Sequence, residues 1–448
     1  MTSSRPRPVA TAAQHTTFPC ALSPIQAMAQ KKRLGVGFVG SGFNARFHML
    51  SWTGVRDADV LGVWSPNHEN AASAARYARS LDIGQCRPYR SIAEMVADPR
   101  IDAIWLSGPN HARIENVEEM VDPILRGKGE LLGVACEKPL ARNVAEAKAV
   151  TALVNRAGIQ HGYLENQCFS PQVERGRELL WARGARLTGR PYLARAAEEH
   201  SGPHMPWFWR GKLQGGGVLN DMMCHSALVV RHLLTRPGED VATVKPVRIT
   251  GHVASLKWTR PEYARRLKRT MGRDVDYTKA PSEDFASVMI EFETQDGYRV
   301  FGEATTSWSF VGAGLRLSAE LLGPEYSMAW NTLDSGLKLF FSREVQGRAG
   351  EDLVEKQNAE MGLMPVVAQE AVAYGYEGEN RHFVRAFLGK EKPLLTFDHG
   401  VDVVRVLMTA YQSAEQGRTL EFPPRGLDRF VPDVARRGAN LPRARTRR

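Results

Sequence analysis

The sequence predicts an α/β protein in two parts: a parallel-sheet domain over residues 34–162 and an α+β domain with a large, open, mostly antiparallel sheet over 163–424. Three observations carry this. From Leu34 to Leu164 short apolar runs alternate with helical stretches at the spacing of βαβ units. A glycine-rich turn, Gly40-Ser41-Gly42, follows the first run and opens a helix. After about Tyr163, strand-like runs follow one another directly, which is the grammar of an antiparallel sheet.

The first part reads as strands at Gly35–Gly40, Ala58–Trp64, Ala103–Gly108, Leu131–Glu137 and Ile159–Leu164, with helices at Glu69–Arg79, Ile92–Ala97 and Ile114–Leu125 between them. The helix after Lys138 is the best defined: Asn143 can cap it, Glu146 stands three residues on, and Gly158 stops it. In the second part, strands are expected at Arg190–Glu198, Val247–Leu256, Phe285–Glu293, Tyr298–Trp308, Leu315–Leu322, Tyr326–Trp330 and Leu337–Phe341. Asp296-Gly297 reads as a hairpin turn with positive φ at both positions. Two helices, Glu379–Leu388 and Val401–Gln416, close the fold, and the basic stretch Lys257–Arg273 reads as an inserted, exposed helix.

Charge location excludes a nucleic-acid-binding surface on the fold. The chain carries a net +10, but residues 1–33 hold five basic groups and no acid, and residues 425–448 hold eight arginines against two aspartates. The ends therefore account for more than the whole surplus, and they read as a disordered leader and a basic tail. No apolar run reaches the ~20 residues that span a bilayer. Five scattered cysteines without a Cys-x-x-Cys pair argue against a disulfide scaffold or a structural zinc site, and fit a reducing, cytoplasmic compartment.

Gly40-Ser41-Gly42-Phe43-Asn44-Ala45 is the G-x-G-x-x-A form of a dinucleotide fingerprint. Gly40 permits the tight turn, Gly42 lets backbone approach a pyrophosphate, and Ala45 allows close helix–sheet packing. The fingerprint expects an acid at the end of the second strand for a ribose 2′-hydroxyl, but Ser65-Pro66-Asn67-His68 stands there. Both NAD and NADP stay open, with a lean to NADP and Ser65 and His68 as contacts. The ends of the third and fourth strands, which line the ligand crevice of such sheets, add Ser107, Pro109, Asn110, His111, Glu137 and Lys138 to Gly40, Gly42, Phe43, Asn44 and Ala45 as cofactor-site residues.

Lys138 precedes Pro139, which keeps it extended and out of the next helix. Burial at a strand end should lower its pKa and make it a proton relay. Asp221 and His225, four apart on one helical face, read as a proton acceptor with an orienting carboxylate. His200 and His204 are separated by Ser201-Gly202-Pro203, which breaks a shared helical face, so no metal site is expected.

Together the glycine fingerprint, Pro109-Asn110-His111, Glu137-Lys138-Pro139, Trp209-Arg210 ahead of Gly215-Gly216-Gly217, the Asp221…His225 spacing and Ala410-Tyr411-Gln412-Ser413-Ala414 resemble the Gfo/Idh/MocA oxidoreductases, from about Leu34 to Pro424. The resemblance implies a Rossmann domain followed by an α/β domain that oligomerises through its sheet. It implies Lys138, Asp221 and His225 as catalytic residues, with Asn166, Trp209 and Arg210 toward the substrate. The expected reaction is hydride transfer between NAD(P) and a secondary alcohol of a sugar, cyclitol or related polyol. Transient oxidation by a retained cofactor, an aromatic dihydrodiol substrate and a nucleotide-binding sensor are the alternatives.

Overall fold

In the computed structural model, residues 33–341, 354–357 and 361–437 are described. The leader through Lys32, Cys20 within it, most of the stretch from 342 to 360 and the tail from Gly438 lie outside them.

The first sheet is wholly parallel, with the order β3-β2-β1-β4-β5-β6. Its strands are β1 (Leu34–Val39), β2 (Ala58–Trp64), β3 (Arg87–Pro88), β4 (Ala103–Leu106), β5 (Gly133–Cys136) and β6 (Gln160–Tyr163). Strands buried on both faces need continuous apolar runs, and β1, β4 and β5 are buried at every residue. Helices α1 (Phe43–Ser51), α2 (His68–Ser80), α3 (Ile92–Val96), α4 (Arg113–Leu125) and α5 (Val144–Arg156) make the crossovers. Asn143 caps α5, accepting from the Glu146 N–H at 3.0 Å. The chain reverses its winding between β1 and β4, and a crevice outside the carboxyl ends of those strands is where such sheets bind ligands.

The second sheet runs β12-β11-β7-β10-β9-β8-β15. Its strands are β7 (Leu193–Glu199), β8 (Lys245–Ala254), β9 (Phe285–Glu293), β10 (Arg299–Ser307), β11 (Arg316–Gly323), β12 (Tyr326–Asn331) and β15 (Leu420–Glu421). All neighbours are antiparallel except β7 and β10. Two helices, α6 (Val218–Leu234) and α7 (Phe397–Gln416), pack against it, and every residue of α6 is buried. The outer side of the sheet leaves Tyr192, Met289 and Phe301 exposed among the Arg195–Glu303 and Arg195–Glu320 ion pairs.

Four expectations change. At the β9–β10 hairpin only Gly297 takes positive φ, at 78°, and its N–H donates to the Thr294 carbonyl at 3.0 Å. Leu337–Phe341 does not extend the large sheet; it pairs as β13 with β14 (Gly362–Val366) in a separate ribbon. The basic stretch forms a helix over Pro261–Met271, but Ala264 and Leu267 bury one stripe of it, so only its arginine face is exposed. Residues 425–437 are not a loose tail, because Leu427 and Val434 are apolar and bury themselves on the fold.

Candidate active site

The glycine turn is shaped for close approach. Gly40 has φ 118°, and a Cβ there would lie 3.0 Å from the Ser107 carbonyl, so the β1 and β4 ends touch at the switch point. A Cβ on Gly42 would meet nothing within 4 Å, and no side chain caps the start of α1. Asn44 Oδ1, Ser107 Oγ and His111 Nδ1 are buried without a hydrogen-bond partner. Open space, free helix N–H groups and unspent polar atoms together fit a bound dinucleotide. Ala45 is buried and Phe43 exposed beside the turn. Asn110 turns elsewhere, donating to the Gln214 carbonyl and side chain at 3.0 and 2.8 Å.

At the β2 end Ser65 is half-buried and His68 is exposed in the first turn of α2, which Asn67 caps. Sequence distance hid one neighbour. Trp64 Nε1 donates to the Arg90 carbonyl at 3.3 Å, so an exposed arginine flanks this strand end after all.

Beyond β5, Arg113 holds the turn by donating to the Leu106 and Glu137 carbonyls at 3.2 and 3.1 Å. Glu137 faces inward to His48 Nε2 at 2.7 Å. Lys138, joined to Pro139 by a cis peptide bond, extends across to α6. Its Nζ donates to the Asp221 carbonyl at 2.9 Å and lies 3.4 Å from Asp221 Oδ1. Burial pulls the Lys138 pKa down, but Asp221, Glu198 and Glu137 outweigh burial and leave it raised. The expected depression is therefore reversed, and Lys138 stands as a hydrogen-bond donor to Asp221.

The orienting carboxylate of His225 is also not the expected one. Asp221 is spent on Lys138 and on Trp308 Nε1, which donates to Oδ2 at 3.3 Å. His225 Nδ1 instead pairs with Glu165, from the turn after β6, while Nε2 lies 3.5 Å from Glu198 Oε2 on β7. Gln167 Nε2 holds that Glu198 oxygen at 2.9 Å. With Nδ1–H given to Glu165, Nε2 is the nitrogen left to exchange a proton. Burial lowers the His225 pKa, but Glu165 and Glu198 more than compensate, so it is raised above 6.5.

The pitch of α6 puts Asp221 and His225 on one face, and remote groups fix the start of that helix. The Glu283 carboxylate accepts from the Gly217 and Leu219 N–H groups at 2.9 and 3.2 Å. The Tyr411 hydroxyl accepts from Gly217 and Asn220 N–H at 3.0 and 3.2 Å, and itself donates to Glu283. Gly-Gly-Gly and Ala-Tyr-Gln, far apart in sequence, thus form one capping structure.

The three residues expected toward substrate divide. Asn166 gives its amide to the Tyr374 carbonyl at 2.7 Å, so its neighbours Glu165 and Gln167 are the ones that reach the site. Trp209 is buried in an aromatic cluster with Trp258, Tyr277 and Trp308, one side chain removed from Asp221. Arg210 is partly exposed, 3.9 Å from Asp274. Glu165, Glu198 and Trp308 escaped the sequence reading. The position of Glu165 just past a parallel strand end was the one signal available for it.

Two family models match this chain: the oxidoreductase family with an NAD-binding Rossmann fold over residues 34–163, and the GFO/IDH/MocA C-terminal domain over 184–328. The chain belongs to the GFO/IDH/MocA oxidoreductase family. Among curated members, 1,5-anhydro-D-fructose reductase of Ensifer adhaerens is 29% identical over 209 residues, 46% of this chain and 58% of that protein. D-apiose dehydrogenase of Paraburkholderia graminis is 25% identical over 294 residues, 60% of this chain and 72% of that protein. The chain spans 58% of the length of the Ensifer adhaerens protein and 59% of that of another curated relative, an uncharacterized protein of Saccharomyces cerevisiae. Among solved structures, GenD2 from gentamicin A biosynthesis in complex with NAD superposes with a TM-score of 0.69 at 23% identity, covering 88% of this chain and 97% of that one. At that identity the likeness speaks for the GFO/IDH/MocA fold alone. Within the fold the parallel domain and the mostly antiparallel second sheet agree with the expected architecture.

Proposed function

We propose that the protein is an NAD(P)-dependent oxidoreductase acting on a secondary alcohol, or the corresponding ketone, of a sugar, cyclitol or related polyol. The observation that carries this is the juxtaposition of Lys138 and His225 at the crevice, each locked by a buried carboxylate, Asp221 and Glu165. Bound nicotinamide supplies the hydride acceptor or donor. Lys138 donates a hydrogen bond to the substrate oxygen and stabilises negative charge there. His225 Nε2 takes the hydroxyl proton in oxidation and returns it in reduction. Asp221 anchors Lys138, and Glu165 fixes the tautomer and orientation of His225. The curated relatives named as sugar dehydrogenases and reductases support the substrate class. A screen of polyols with NAD and NADP, read as nicotinamide absorbance, tests this; no change with any polyol and either cofactor would favour a sensor.

NADP is bound at least as well as NAD, since no carboxylate stands at the β2 end and Arg90 flanks it. The exposed outer side of the second sheet is the surface for homo-oligomerisation. No helix among the described residues is long and apolar enough to cross a membrane.

A further inference from the structure

Beside the Lys138 turn lies a second cluster of ionisable groups. His48 on α1, Glu137 after β5 and Glu379 on the helix Tyr376–Phe387 bring one ligand atom each to within 4.8 Å of one another. All three are buried, and Glu379 is 0% exposed. Neither Glu379 oxygen has a hydrogen-bond partner among the described residues; the Glu165 N–H lies near, outside hydrogen-bond geometry. The one ion pair that these two glutamates make among the described residues is that of Glu137 with His48. A buried carboxylate left so is costly. Protonation does not relieve it, because the O–H would find no acceptor in reach.

The other two groups are oriented from outside the cluster. Trp105 Nε1, a donor only, reaches Asn380 Oδ1 at 2.9 Å, so that oxygen is an acceptor, and His48 Nδ1 at 3.1 Å carries the proton it receives. Asn380 is itself fixed by its Nδ2 donating to Ser51 Oγ at 2.7 Å. His48 Nε2 is thereby turned into the cluster, 2.7 Å from Glu137 Oε1. The second Glu137 oxygen accepts from the Lys138 N–H at 3.1 Å. An imidazole whose far N–H is bonded, beside a carboxylate whose far oxygen is bonded, has the outer contacts that metal ligands have. Donors at about 2.1 Å from an ion and at right angles to each other stand about 3 Å apart, near the spacing seen. The rings of Tyr376 and Phe38 pack against the His48 ring, at 4.9 and 6.3 Å between centroids, and close the site to solvent.

We propose that His48 Nε2, Glu137 and both oxygens of Glu379 bind one divalent first-row metal ion, Mn2+ or Zn2+. One imidazole with carboxylate oxygens suits these ions. Two negative ligands against a double positive charge also leave the core neutral, which a buried charge cluster needs. The ligands come from α1, the β5 end and the helix Tyr376–Phe387, so the ion joins the Rossmann domain to the second half of the chain, one residue before Lys138. Burial of its ligands keeps the ion from substrate, and its part is to hold the Lys138 turn. The site is separate from the oxidoreductase function and does not depend on it.

The test strips the full chain with EDTA and titrates it by calorimetry with MnCl2 and with ZnCl2, without nucleotide. One of these ions should bind at one per chain, and X-ray absorption of that loaded protein should show one imidazole nitrogen, oxygens and no sulfur. Asn380→Ala should weaken the ion about 10–100-fold, and Glu379→Gln by more. Loading should raise the thermal midpoint of the wild type and leave that of Glu379→Gln unmoved. No stoichiometric binding, a ligand set with sulfur or with two or more imidazoles, or an affinity untouched by both substitutions would overturn the inference. So would an infrared band of a protonated buried carboxyl that persists under saturating metal and vanishes in Glu379→Gln, which would give the cluster to a proton instead. If Glu379→Gln does not fold, the absorption spectrum of the loaded wild type decides.

Discussion

His225 and Glu165 are sixty residues apart in sequence and form one buried ion pair through Nδ1, which leaves Nε2, 3.5 Å from Glu198 Oε2, as the nitrogen that can exchange a proton. Because the paired carboxylates hold the imidazole pKa above 6.5, His225 must lose its proton before it can accept one from an alcohol. Alcohol oxidation should therefore rise with pH through an apparent pKa above 6.5, and ketone reduction should fall over the same range. Glu165→Gln should move that apparent pKa down and lower kcat about tenfold or more. A pH profile of kcat for both enzymes checks this; a profile that does not move would assign Glu165 to structure alone.

Lys138 should act as a charge and not as a base. Replacement by Ala should cost on the order of 10²–10³ in kcat/KM, the usual price of removing a donor to a developing oxyanion. Nucleotide affinity should stay within a few-fold. Lys138→Ala with full activity would exclude Lys138 from the chemistry.

Cofactor choice rests on the end of β2. Ser65→Asp should place an anion near a 2′-phosphate and weaken NADP about tenfold while sparing NAD. Arg90→Ala should act in the same direction. Titration of both nucleotides against the three proteins decides it; strong wild-type preference for NAD, unchanged by either substitution, would contradict it.

The cap on α6 predicts a stability signature. Burial pushes Glu283 up to about 7 from 4.5 despite its hydrogen bonds from Tyr411 and the helix N–H groups. An acid with a raised folded pKa stabilises the fold below the unfolded value and loses that contribution as pH rises through the folded one. Glu283 should thus withdraw about 3 kcal/mol between pH 4.5 and 7. Glu283→Gln should lose this part of the pH dependence, so the difference in unfolding free energy between the two proteins should change across that window. Denaturant melts at both ends of it measure the slope. Tyr411→Phe should cost about 1–3 kcal/mol, since the buried Asn220 N–H loses its acceptor and Glu283 loses a donor.

Most of the parallel domain was legible because its signals are local. Ala58–Trp64 and Phe285–Glu293 are the strands expected, and Asn143, Glu146 and Gly158 mark α5 as their chemistry requires. The site was legible only where its residues lie on one element. The i, i+4 spacing placed Asp221 and His225 together, but which carboxylate meets which cation depends on how α6 lies against β5, β6 and β7. That relation joins residues from 138 to 308, and no short-range pattern encodes it. Glu165 and Glu198 were hidden for this reason. The sign of the Lys138 shift is not legible because two of the carboxylates that raise it, Asp221 and Glu198, come from segments distant in sequence.

The most direct measurement is single-turnover oxidation of the best polyol by wild type, His225→Ala and Lys138→Ala, each first shown by titration to bind nucleotide normally. Both variants should bind cofactor within a few-fold of wild type and lose hydride transfer by on the order of 10²–10⁴. Wild-type hydride transfer rates in either variant would contradict a proton-transfer site built on His225 and Lys138.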